Sequence, residues 1–129
     1  MSTFKTFVEI EAWQKARVLT RRVYSETDSG RFSKDFALKD QIRRASISIM
    51  SNIAEGFDRA GRKEFIQFLS IAKGSAGEVK SHLFVALDQE YLTKESFQEL
   101  YDLADQTSKM ISGLISYLQK STIKGTKYK

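Results

Sequence analysis

The chain has 129 residues, with 21 Lys and Arg against 16 Asp and Glu and a net charge of +5. That length supports one domain around a single core. No cysteine is present, which excludes disulfides, thiolate metal sites and thiol catalysis, and the absence of proline favours long uninterrupted helices.

The N-terminal stretch MSTFKTFVEIEAW lacks an apolar run behind basic residues, so no signal peptide is expected. No apolar segment approaches the ~20 residues of a membrane span. A soluble cytoplasmic protein is the expectation.

A first helix is expected over about Val8 to Glu26, with Val8, Ala12, Ala16, Leu19 and Val23 on one face and Trp13 and Tyr24 beside it. A linker containing Asp28, Ser29 and Gly30 follows, and Ser33 is read as the cap of the second helix. That helix should run from about Lys34 to Phe57. Leu38, Ile42, Ala45, Ile49 and Ile53 recur every three or four residues along it. Ile47, Met50, Ala54 and Phe57 form a second apolar line, which calls for neighbours on two sides. Gly61 and Glu64 make half a capping box for a third helix, about Arg62 to Gln89. Thr93 caps the fourth, where Phe97, Leu100, Ala104, Thr107, Ile111, Leu114 and Leu118 trace a heptad seam. Short breaks between long amphipathic helices give an all-α, antiparallel up-down-up-down four-helix bundle. The domain is placed at residues 1–121, with 122–129 as a basic flexible tail.

Charge is unevenly placed. Residues 83–105 hold Asp88, Glu90, Glu95, Glu99, Asp102 and Asp105 against Lys94 alone, whereas residues 106–129 hold five lysines and no acid. Such polarity can steer a polyanion to one face or join subunits basic patch to acidic patch. Arg59, Arg62 and Lys63 at the second turn, with Lys120, Lys124 and Lys127, are the candidate phosphate contacts. Arg43 and Arg44 lie between two apolar lines and are read as structural or subunit-contact groups, with Asp40–Arg44 and Glu55–Arg59 as i, i+4 ion pairs. Asn52 and Glu55 need partners for the same reason, since an unpaired buried polar group costs about 1–3 kcal/mol.

Gly74-Ser75-Ala76-Gly77 lies within a helix, without the strand and spacing of a phosphate-binding loop. It is read as a patch admitting another helix, from within the bundle or from a second subunit. His82 is the sole histidine, and Val79 stands where a helical di-metal site would place Glu. No metal, cofactor or catalytic group is therefore expected, and the chain reads as non-enzymatic.

The run Gln41 to Gly56, QIRRASISIMSNIAEG, followed by Glu64-Phe65 and by Ile71 to Glu78, IAKGSAGE, resembles the four-helix-bundle proteins encoded in intervening sequences of bacterial large-subunit ribosomal RNA genes. The resemblance spans about Phe7 to Leu118. It implies a ring-like homopentamer, and a kinship with retroelement accessory proteins that work beside a reverse transcriptase and nucleic acid. Together these readings give an oligomeric bundle that binds RNA or DNA through a basic surface, as an accessory to another nucleic-acid protein. The alternative is a protein–protein scaffold whose charges serve assembly alone.

Overall fold

The computed structural model describes residues 4–124, with side chains through residue 120. Four helices make up the fold: α1 (Glu11–Glu26), α2 (Phe36–Asp58), α3 (Arg62–Asp88) and α4 (Lys94–Lys124), with short 3-10 turns at Phe7–Glu9 and Phe32–Lys34 and no strand among the described residues. Helix α1 packs on α2 and α4, and α3 packs on the same two, so the four close into a bundle.

The contacts also fix the chain sense. Thr20 meets Ser46 and the later Thr27 meets the earlier Arg43. Ser48 meets Ser75, and Gly56, two turns on, lies against Phe65 and Phe68. Lys80 meets Asp105 while Phe84 meets Phe97 and Tyr101. At each seam the residue numbers run in opposite directions, so successive helices are antiparallel. The α2–α3 turn and the end of α4 therefore share one end of the bundle, and the linker and the α3–α4 loop share the other.

The core follows the expected periodicity. Leu19 and Val23, Ile42, Ile49 and Ile53, Leu69, Val79 and Leu83, and Leu100, Ile111 and Leu118 are all buried, contributed by the four helices in turn. Each such side chain contributes about 1.5–3 kcal/mol on leaving water. Of the second apolar line on α2, Met50 and Phe57 pack against this core, but Ile47 is 42% exposed.

Several boundaries differ from the sequence reading, for local reasons. Phe7–Glu9 forms a 3-10 turn ahead of α1. Ser33 does not cap α2. Its hydroxyl donates to Gly30 O at 2.7 Å within the 3-10 turn, and Asp35 is the cap, accepting from Leu38 N at 3.1 Å. The other carboxylate oxygen of Asp35 accepts from the Tyr91 hydroxyl at 2.9 Å. Phe32 stacks on the Tyr91 ring with centroids 5.1 Å apart, so the linker is pinned to the α3–α4 loop. Gly61 precedes α3 without a side-chain cap, whereas Thr93 Oγ1 caps α4 by accepting from Ser96 N at 3.0 Å. Helix α4 continues to Lys124, three residues into the stretch assigned to the tail, and residues 125–129 lie outside the described ones.

Candidate functional site

The turn expected to carry phosphate contacts is compensated at Arg59. Arg59 lies between two carboxylates, 3.0 Å from Glu55 Oε2 and 3.7 Å from Glu64 Oε2, and its guanidinium sits 5.3 Å from the centre of the Phe68 ring. Arg62 is half-buried, and its Nε is enclosed without a hydrogen-bond partner. Lys63 is exposed. Asp58 lies on the same turn, but neither Arg62 nor Lys63 has a carboxylate of the described residues within ion-pair distance. Lys120 is exposed on α4, and the antiparallel arrangement brings it to the end that holds Lys63. Lys124 closes α4 at that end, and Lys127 lies outside the described residues.

Glycine is needed at a place other than the GSAG patch. A Cβ on Gly56 would lie 2.7 Å from Phe68 Cβ and 3.0 Å from Phe65 Cδ1, whereas Gly74 and Gly77 have nothing within 4 Å of that position. No other helix of the described chain thus approaches Gly74 or Gly77, which corrects the in-bundle half of that reading. The neighbouring Ser75 and Ala76 are the buried pair. Ser75 Oγ shares a 2.9 Å hydrogen bond with Ser48 Oγ, and Asn52 Nδ2 donates to Ser48 O and Oγ at 2.8 and 3.0 Å. Asn52 is therefore satisfied within a polar seam between α2 and α3. Within one turn of that seam, Ile47 and Ile71 stand 42% and 49% exposed. Along it, Gln41, Arg44, Ala45, Ser48, Glu78 and His82 line a shallow hollow.

Arg43 and Arg44 separate. Arg44 is paired with Asp40 at 2.8 Å and is otherwise exposed. Arg43 reaches across to α1. Its Nε donates to Thr27 Oγ1 at 2.8 Å and its Nη2 to Tyr24 O at 3.4 Å, with the guanidinium 4.1 Å over the Tyr24 ring. Thr27, 1% exposed, donates its hydroxyl to Val23 O at 2.8 Å. This arrangement ties α2 to the end of α1 without using any acid.

The α1–α2 flank is a second cationic surface. Arg17 and Arg21 on α1, and Lys39 and Arg43 on α2, have no carboxylate of the described residues within ion-pair distance. Arg17 lies 5.8 Å from the centre of the Trp13 ring. Tyr24 is 38% exposed and Phe36 75%, and Phe36, Ala37, Lys39, Asp40 and Arg43 line an open hollow of about 520 Å³. Only the folded chain shows that Tyr24 and Phe36 share a cationic surface. Phe57, by contrast, packs edge-on against Phe65.

The far flank, between α3 and α4, is organised by ion pairs. Asp105 bridges Lys80 at 2.7 Å and Lys109 at 3.1 Å, and these two hydrogen-bonding ammonium groups hold its carboxyl below the usual carboxylate range. The Asp35 hydrogen bond pushes the Tyr91 hydroxyl above the ordinary phenol value, with partial desolvation adding to it. Among the described residues no cluster of three metal-ligating side chains occurs, and no helix is long and apolar enough to cross a membrane.

Comparison with known proteins gives a matching family and a solved structure. A crystal structure of a protein of unknown function from the S23 ribosomal protein family of Bacteroides thetaiotaomicron superposes with a TM-score of 0.75 at 25% identity, covering 81% of this chain and 95% of that one. Comparison with curated proteins gives no match. The family model described as 23S rRNA-intervening sequence protein matches residues 8–113. On that match, which takes in all of α1, α2 and α3 and most of α4, the chain belongs to the 23S rRNA intervening sequence protein family.

Proposed function

We propose that this protein is a non-enzymatic, oligomeric helical bundle that binds RNA or DNA through its basic surface, as an accessory to another nucleic-acid protein. The observation that carries this reading is the separation of charge in three dimensions. Asp88, Glu90, Glu95, Glu99 and Asp102 gather toward the end formed by the linker and the α3–α4 loop, with Glu99 paired to Arg22 at 3.1 Å, while Lys63 and Lys120 lie at the opposite end. Lys39 and Arg43 stand toward the acidic end but have no carboxylate of the described residues within ion-pair distance. Cations without local acids are free to replace counterions along a phosphate backbone. Repetition in a ring, a pentamer by family resemblance, would multiply weak contacts through effective concentration.

The second reading, a scaffold built only for protein contacts, is favoured by exposed Ile47 and Ile71 beside the open backbone of Gly74 and Gly77. A second copy laid along α2 and α3 would cover them, and both readings share that assembly. Light scattering tests it: an oligomer is expected, and a 14.8 kDa particle at micromolar concentration contradicts it. Filter binding to structured RNA, duplex DNA and single strands at low salt separates the two readings. Binding tighter than roughly 10⁻⁴ M supports nucleic-acid function, and none at that level hands the function to the scaffold.

A further inference from the structure

We infer that the α1–α2 flank is a groove for single-stranded nucleic acid, with Arg17, Arg21 and Lys39 on the phosphates and Phe36 and the Arg43–Tyr24 stack as faces for bases. The inference deepens the proposed nucleic-acid function and rests on it. Three observations on this flank converge. Its four cations have no acidic partner among the described residues. Asp40, which lines the same hollow, is held by Arg44 at 2.8 Å, and the carboxylate of Asp35, beside Phe36, is taken by Leu38 N and the Tyr91 hydroxyl. Phe36 is the most exposed large apolar side chain of the described residues, at 75%, and it walls a hollow of about 520 Å³ shared with Lys39 and Arg43.

That combination distinguishes among polyanions. A duplex keeps its bases stacked on each other and offers an outer surface of phosphates, which cations alone can match. A single strand has free π faces, and aromatic platforms lined by cations hold it with little sequence preference. The Arg43 guanidinium already lies 4.1 Å over Tyr24, so a base can extend an existing stack. An acidic peptide would satisfy the cations but would leave Phe36 in water.

The test is fluorescence anisotropy at low salt with a labelled oligo-dT strand of about 20 nucleotides and a duplex of the same length, each titrated with the full-length protein. The single strand is expected to bind more tightly than the duplex. Phe36→Ala, at an exposed position, should weaken single-strand binding on the order of 5- to 100-fold and leave the salt slope unchanged. The double variant Arg17→Gln/Arg21→Gln should lower that slope by about 0.7 per lost phosphate contact. Circular dichroism melting controls for folding. Equal or tighter duplex binding with no effect of Phe36→Ala overturns the groove, as does equal competition by polyglutamate. Binding that responds only to Lys63→Gln/Lys120→Gln moves the site to the bundle end and overturns this inference alone. A smaller oligomer in Phe36→Ala overturns it as well, by placing Phe36 in a subunit contact. Failure of the wild type to bind either nucleic acid rejects the underlying nucleic-acid reading instead.

Discussion

The α2–α3 turn and the α1–α2 flank both carry several basic residues, and the folded chain treats them in opposite ways. At the turn, Arg59 is held between Glu55 and Glu64 with Asp58 beside it in the chain, and only Arg62 and Lys63 have no carboxylate of the described residues within ion-pair distance. On the flank, Arg17, Arg21, Lys39 and Arg43 face aromatic rings or solvent rather than acids. A polyanion responds to net local field, so a dense basic cluster interleaved with acids attracts it less than a sparser unopposed one. The contrast extends to packing, because near the turn Gly56 of α2 lies against Phe65 and Phe68 of α3.

The largest expected effect tests that packing. Gly56→Ala places a methyl group 2.7 Å from Phe68 Cβ, an overlap with the start of a side chain that cannot swing aside. Such overpacking typically costs about 1–3 kcal/mol, against a gain of about 1 kcal/mol in helix propensity. Thermal melting should show a net loss of stability, and an unchanged or higher melting temperature would show that α3 shifts freely at the turn.

Next in size is the flank's own tie. Thr27→Val keeps the shape but removes the acceptor for Arg43 and the donor to Val23 O, and should cost on the order of 1 kcal/mol. Denaturant unfolding measures it. Stability equal to wild type would mean that Arg43 is held by Tyr24 alone.

Gly77→Ala should go the other way within a single subunit, and its effect on the oligomer reports whether the second copy reaches α3 at this point. Nothing lies within 4 Å of the added methyl group, and alanine is favoured over glycine in a helix by roughly 1 kcal/mol. A monomeric chain should melt higher. A lower melting temperature with loss of oligomer would instead place a second copy against α3.

The smallest effect concerns pH on the flank that does not enter the comparison. The carboxyl of Asp105 has its pKa lowered in the folded state. Its contribution is therefore present above the unfolded carboxylate range, near pH 4, and is lost as pH falls through the folded value. Asp105→Asn should flatten the acid limb of stability against pH. Tyr91 has the opposite sign, since a raised phenol pKa contributes below pH ~10 and fades as pH rises through the folded value.

The helices were legible because apolar spacing, the Thr93 cap and the absence of proline agree at every level. The Asp40–Arg44 and Glu55–Arg59 pairs were legible for the same reason, being spacings along one helix. What crosses between helices was not. The Asp35–Tyr91 bond joins residues 56 positions apart and holds the carboxylate that caps α2. Arg43 reached Thr27 and Tyr24 only after α1 and α2 were antiparallel. Gly56, unremarkable inside NIAEG, became the close-contact glycine because Phe65 and Phe68 return against it, while the more conspicuous GSAG glycines face open space. The same geometry redistributes the candidate cations, since a basic triplet in the sequence carries no record of Glu55 and Glu64 folding around it.

The central claim is that the unopposed cations of the flank, rather than the basic turn, set the affinity for nucleic acid. It is tested most directly by the slope of log K against log salt for single-stranded oligo-dT, compared among wild type, Arg17→Gln/Arg21→Gln and Arg59→Gln/Lys63→Gln. The expected result is a slope reduced by about 1.4 in the flank variant, two phosphate contacts at about 0.7 each, with the turn variant closer to wild type. A turn variant that loses more slope than the flank variant would contradict it.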